Sequence, residues 1–172
     1  MLPVILFAFS TSSSNATIPL NLETLERKCG VDEKVASFTI PLGATINMSG
    51  TAIMQGVAVV FVAQAFGIDL STSALMTVVI TAVTAAIGTA GVPGVGTIML
   101  AMVFESVGLP AAGIAMIMGV DRILDMGRTA VNVTGDAVVT MCMASLTKTL
   151  DRNVFQSRNE DLIEEPAKAP SE

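Results

Sequence analysis

Histidine, tryptophan and tyrosine are missing altogether from this 172-residue sequence. Without histidine, the commonest proton shuttle and metal ligand is gone. Without tryptophan or tyrosine, the usual belt of those rings at a membrane–water interface is absent. Cysteine is scarce: Cys29 and Cys142 stand far apart and form no C-x-x-C pair, which supports neither a disulfide framework nor a zinc site. Charge is also low. Asp, Glu, Lys and Arg make up 14% of the chain, against about 25% in a soluble domain. Between Val35 and Phe104 the only ionisable side chain is Asp69. No water-facing surface can be built from so few charges, whereas lipid asks for no polar partner on the outside of a helix. There is no basic stripe, which excludes nucleic-acid binding on electrostatic grounds. Half of the net charge of −6 belongs to the residues after Lys148, so it says little about the body.

What is present is apolar: 52% hydrophobic residues and a mean hydropathy of +0.70. Five stretches can enter a bilayer, where a full span needs about 20 residues. The first, 1–20, is interrupted by Ser10-Thr11-Ser12-Ser13-Ser14-Asn15. It has no preceding Lys or Arg, so a signal peptide is disfavoured. A charged linker, 23–34, follows. The second, 35–67, is too long for one straight span and breaks at Asn47-Met48-Ser49-Gly50. The third and fourth, 74–89 and 97–107, flank Ala90-Gly91-Val92-Pro93-Gly94-Val95-Gly96. The fifth, 111–150, carries charges in its middle, and 151–172 reads as a disordered acidic tail. Composition and length favour helices, and β-barrel alternation is absent. Gly and Pro at the interruptions release backbone groups from helical pairing. Paired, interrupted apolar segments of this kind point to a transporter binding site near the membrane midplane.

Asp125, Arg128, Asn132 and Asp136 are spaced three, four and four apart, which places them on one helical face, with Asp121 a turn earlier. Charges inside a membrane segment are costly and mark a functional site facing the bundle interior. A structural Asp125–Arg128 ion pair is the plainer alternative. Arg128 offers a rigid donor fork matched to a carboxylate. Asp125 is an acceptor for an ammonium, and Asn132 and Thr129 supply neutral hydrogen bonds. Asp136 is a hard oxygen for a cation, joined by carbonyls freed at the 47–50 break. Together they suit a zwitterion with an extra acidic group. No His or membrane-embedded Lys stands ready to activate a serine at 12–14, which argues against an intramembrane hydrolase. The glycines of 91–96 lack the Lys of a phosphate loop, and the many methionines read as apolar filler.

Four motifs in order carry a family resemblance: Ser12-Ser13-Ser14-Asn15-Ala16-Thr17-Ile18-Pro19, Pro41-Leu42-Gly43-Ala44-Thr45-Ile46-Asn47-Met48-Ser49-Gly50-Thr51, Gly88 through Gly96, and Asp125 through Asp136. The succession resembles the dicarboxylate/amino acid:cation symporter family, which includes glutamate transporters, over roughly residues 5 to 148. The resemblance implies an all-α membrane fold: a transport-domain half with two re-entrant hairpins (1–27 and a gate at 72–108), a broken helix at 35–67 and a long final helix at 111–150. It implies no enzyme. The implied activity is sodium-coupled symport of glutamate or aspartate in a multi-pass protein of the cell membrane. A C4-dicarboxylate symporter is the alternative, disfavoured because Asp125 would meet no ammonium.

By resemblance, Ser12, Ser13 and Ser14 touch the main carboxylate of the substrate, and Thr51 and Arg128 its side-chain carboxylate. Asp125 takes the amino group, Thr129 and Asn132 add contacts, and Val92 to Gly96 form the gate tip. Gly43, Asn47, Asn132 and Asp136 match one sodium site. Thr45, Met48, Ala86, Ile87 and Thr89 match a second, made mainly of carbonyls. No other cofactor is implied. Family members carry scaffold helices before the first hairpin, which include their trimer contacts. This sequence lacks them, so the expectation is a C-terminal fragment that does not transport alone. Ser49 stands where many members carry an aspartate that supports a third sodium. Ser12 replaces an archaeal-type arginine, and Arg122 is the expected source of compensating charge.

Overall fold

A computed structural model describes residues 1–156, and its order is α1 (Leu2–Thr11), α2 (Ser14–Cys29), α3 (Glu33–Ile46), α4 (Ser49–Ala65), α5 (Thr72–Ile87), α6 (Val95–Ser106), α7 (Ala112–Met118) and α8 (Asp121–Leu146). Local chemistry sets most of the boundaries. Pro3 sits in the first turn of α1, where its missing N–H is no loss. Ser13 caps α2 by accepting from the Ala16 N–H, Asp32 caps α3 through Lys34, and Ser71 caps α5 through Ala74. Ser12, between α1 and α2, has φ of 52°, a left-handed conformation unusual for a residue with a Cβ.

The helices form two antiparallel hairpins, α1–α2 and α5–α6, set around a broken helix, α3–α4, and the long α8. Helix α8 is the hub: α1, α2, α3 and α4 all pack along it. Helices α5 and α6 pack on each other and on α4 instead. Two cores follow. Leu25, Ala36, Ile40, Ala137 and Ala144 fill the space between α2, α3 and α8. A larger, wholly apolar core of Val59, Val62, Val78, Leu100, Val103 and Phe104 joins α4, α5 and α6. The outside is equally apolar, with Phe38, Ile53, Ile80, Ile98, Ile123 and Leu146 all exposed. The stretches 33–65 and 121–146 are long and apolar enough to cross a bilayer. The 10 residues of α1 and 12 of α6 are too short to cross one. The chain is an all-α membrane protein.

Three sequence readings need correction. The final helix at 111–150 is two helices, because a turn at Gly119–Val120 separates α7 from α8. Continuous apolarity hid it, since Gly lowers helix propensity without changing hydropathy. The break in 35–67 is confined to Asn47 and Met48, and Ser49 and Gly50 already belong to α4. The tail does not begin irregular at 151. The Asp151 carboxylate accepts from the Asn153 N–H at 2.9 Å and caps a helical turn at 152–156. The remainder of that tail, 157–172, lies outside the described residues. The Asp151 N–H also donates to the Gly30 carbonyl at 2.7 Å, and Val31 bridges to Leu150, so the α2–α3 turn is pinned to the end of α8.

Candidate functional site

The site forms where both hairpin tips and the α3–α4 break meet the polar face of α8. Its floor is α8, where one helical face buries Asp125, Arg128, Thr129, Asn132 and Asp136. Helix geometry alone gathers them, but burying them requires partners. Asn132 supplies two: its Oδ1 accepts from the Gly50 N–H at 2.8 Å and its Nδ2 donates to Thr51 Oγ1 at 3.2 Å. The start of α4 is thereby locked to α8. Asn47 Nδ2 donates to Asp136 Oδ1 at 3.0 Å. Arg128 Nη2 donates to Asp125 Oδ1, and the other Asp125 oxygen accepts from the Gly94 N–H at 2.9 Å. The Thr129 hydroxyl turns back to the Asp125 carbonyl.

The two tips touch each other. Ser13 Oγ donates to the Gly91 carbonyl at 3.0 Å, and the Asn15 N–H donates to the same oxygen at 3.2 Å. Gly91 allows this because a Cβ there would lie 2.7 Å from Asn15 Oδ1. A Cβ on Gly96 would collide with the Arg128 guanidinium, so glycine lets the tip of the second hairpin lie against the arginine. The half-open cavity between them holds about 10 Å³, lined by Ser12, Ser14, Thr51, Asp125, Arg128 and Asn132, with Met48, Thr89, Val92, Gly96 and Thr129 around them. That is room for about one water-sized body, so nothing larger enters without movement of a tip. Ser12 Oγ and Arg128 Nη1 are buried and have no hydrogen-bond partner among the described residues. Unpaired buried donors of this kind are costly, and a charged one most of all.

Of the sequence-derived substrate residues, all but Ser13 line this cavity; Ser13 is occupied as the α2 cap and as the tie to Gly91. The cation candidates are less concentrated. Gly43 lies against Asp136, where a Cβ would be 2.6 Å from its Oδ1. Met48, Ala86 and Thr89 are buried, whereas Thr45 and Ile87 are exposed and turn their side chains away. Thr45 Oγ1 bonds back to Pro41 and Thr89 Oγ1 to Ala85. That second group therefore has backbone carbonyls, rather than side chains, to offer. Backbone dihedrals leave the helical range at Asn47 (φ −106°, ψ 59°) and Met48 (φ −96°, ψ 57°), where the Asn47 side chain meets Asp136. Among the described residues no three His, Cys, Asp or Glu side chains converge. A site of one carboxylate and several neutral oxygens suits a hard cation of low charge rather than a transition metal.

Arg122 does not supply the charge expected near Ser12. It is exposed and does not line the cavity, because one step beyond Asp121 turns it about 100° around the helix. Sequence reasoning also missed Gln55. Its side chain is fully buried in α4, with Nε2 3.4 Å from the Gly96 carbonyl and Oε1 without a partner among the described residues. A lone amide within an apolar helix was the available signal.

An apolar helical bundle thus brings a broken helix and two hairpin tips around a buried Arg–Asp pair. Residues 1–146 match the description of the sodium:dicarboxylate symporter family. The chain is 46% identical over 148 residues to excitatory amino acid transporter 3 of Mus musculus, covering 86% of this chain and 28% of that protein. It is 43% identical over 153 residues to the putative sodium-dependent excitatory amino acid transporter glt-6 of Caenorhabditis elegans (88% and 28%). It is 40% identical over 162 residues to excitatory amino acid transporter 1 of Homo sapiens (94% and 29%). The chain belongs to the sodium:dicarboxylate symporter family, a family of transporters and not of enzymes. It spans less than a third of the length of these relatives.

Proposed function

We propose that this chain carries the substrate and sodium sites of a symporter for acidic amino acids, working in a multi-pass assembly of the cell membrane. The observation that carries the reading is Arg128 Nη1, buried at the cavity and lacking a partner among the described residues, beside an Asp125 carboxylate. A substrate carboxylate satisfies the free arm of the guanidinium, while a neutral side chain would leave it unpaired. Asp125 receives the ammonium, and Thr51, Thr129 and Asn132 complete the contacts. Ser12, Ser13 and Ser14 take the main carboxylate from the first hairpin. Val92 to Gly96 close over the ligand.

In this reading one sodium lies with Gly43, Asn47, Asn132 and Asp136, and a second under the gate with Thr45, Met48, Ala86, Ile87 and Thr89. Sodium orders the α3–α4 break and the gate, which makes substrate binding favourable, and linkage requires the substrate to tighten sodium equally. Ser49 provides no carboxylate for a third ion. The scaffold against which this part would move, and the trimer it would build, belong to the same proposal. One observation favours a second reading, a C4-dicarboxylate substrate. Both Asp125 oxygens already have partners within the chain, Arg128 and Gly94, and so do not require an ammonium.

The test is uptake by the native protein in proteoliposomes. Labelled L-aspartate or L-glutamate is expected to accumulate under an inward sodium gradient and not when choline replaces sodium. Uptake of succinate with neither amino acid transported would establish the dicarboxylate reading instead.

A further inference from the structure

Thr97 differs from most of the helical threonines. Thr39, Thr45, Thr77, Thr81, Thr84, Thr129 and Thr134 all turn their hydroxyls back to the carbonyl four residues earlier. Thr97 stands in the first turn of α6, whose cap is Gly94, so its fourth preceding residue, Pro93, is outside the helix. Its hydroxyl donates across the bundle to Asp121 Oδ1 at 2.6 Å. Asp121 is itself in the first turn of α8. Four residues on, on the same face, Asp125 accepts from the Gly94 N–H at 2.9 Å. The start of α6 is thus held to α8 by two carboxylates, each favoured by the positive end of a helix. Along its length α6 packs on α5, α4 and α7.

We infer that the Thr97–Asp121 hydrogen bond is a latch that keeps the second hairpin closed while Asp125 changes partner. The inference rests on the acidic amino-acid reading. When a substrate ammonium takes the Asp125 carboxylate, the Gly94 N–H loses its acceptor and the gate loses one of its two ties to α8. Asp121 lies outside the cavity lining and is not consumed by that exchange. Thr97 and Asp121 are therefore positioning residues that set how long the substrate stays enclosed. A charge-assisted hydrogen bond from a hydroxyl to a carboxylate is strong enough for that task.

The test places spin labels at the exposed positions Ile98 and Ile123, with Cys29 and Cys142 changed to Ser, in the native protein reconstituted in lipid. Gate distances and L-aspartate dissociation rates are measured in sodium. Thr97→Val and Asp121→Asn are expected to broaden the distance distribution and to speed dissociation by roughly tenfold or more, the scale of a hydrogen bond to a charged group. Thr97→Ser should restore both, which a purely structural role would not require. Unchanged distances and dissociation in Thr97→Val and Asp121→Asn, with sodium-dependent aspartate binding intact in the parent, overturn the latch alone. A parent protein that binds no aspartate in sodium overturns the substrate reading, and the latch with it.

Discussion

The two hairpins look alike in sequence, each a pair of short apolar arms around a polar or glycine-rich tip, yet they are held differently. The first, α1–α2, packs on α8 with both arms and is backed by α3, and the turn leaving it is pinned to the end of α8 through Gly30, Val31, Leu150 and Asp151. The second, α5–α6, has its footing on α4 and meets α8 through the tip contacts of Gly94, Gly96 and Thr97. Extended apolar packing separates only as a whole, whereas a few hydrogen bonds can be exchanged one at a time. The difference is in keeping with the proposed roles, the first hairpin as a wall of the site and the second as its gate.

The comparison breaks most severely if the second hairpin loses its footing. Phe104, fully buried against α4 and Gly113, is the largest side chain there. Phe104→Ala should destabilise the fold by about 3–5 kcal/mol, read by thermal unfolding in detergent, with the ligand affinity of the folded fraction unchanged. Next is the tip. Arg128→Ala leaves Asp125 buried without its cation and should weaken L-aspartate binding by about 3 kcal/mol or more, over 100-fold. Arg128→Lys should not rescue it, because an ammonium lacks the planar fork. Calorimetric titration of both variants decides this.

Two smaller effects sharpen the contrast. Gly43→Ala pushes a methyl against the Asp136 carboxylate and should raise the sodium needed for half-maximal aspartate binding by about tenfold, near 1.4 kcal/mol. Binding at saturating sodium should survive. Gly30→Ala acts on the wall alone. Its φ is 72°, and a Cβ would meet the Asp151 carbonyl at 2.5 Å. A cost of about 1–2 kcal/mol in stability is expected, without change in sodium dependence. A change in gate behaviour from Gly30→Ala would show that the two hairpins are not mechanically separate.

Much of this was legible in the sequence. The face of Asp125, Arg128, Asn132 and Asp136 follows from helical spacing; all four are buried on α8, the first three line the cavity, and Asp136 lies apart from it against Asn47 and Gly43. The interruptions near Ser12, Asn47 and Pro93 marked the places where the backbone leaves the helix. What was illegible depends on partners distant in the chain. Nothing in the neighbourhood of Thr97 names Asp121, and nothing near Gly30 names Asp151, since those pairings exist only once the bundle has formed. The Gly119 turn between α7 and α8 escaped because hydropathy does not register a single glycine. Arg122 misled because one residue of helical rotation separates the half-buried Asp121 carboxylate from an exposed guanidinium.

The most direct measurement is calorimetric binding of L-aspartate, L-glutamate and succinate to the native protein, with sodium and with choline in its place. Aspartate or glutamate binding that requires sodium and vanishes in Arg128→Ala, with succinate silent, is the predicted result. Binding of succinate alone, or amino-acid binding indifferent to sodium, would contradict the assignment of Asp125 to an ammonium or of Asp136 to a sodium ion.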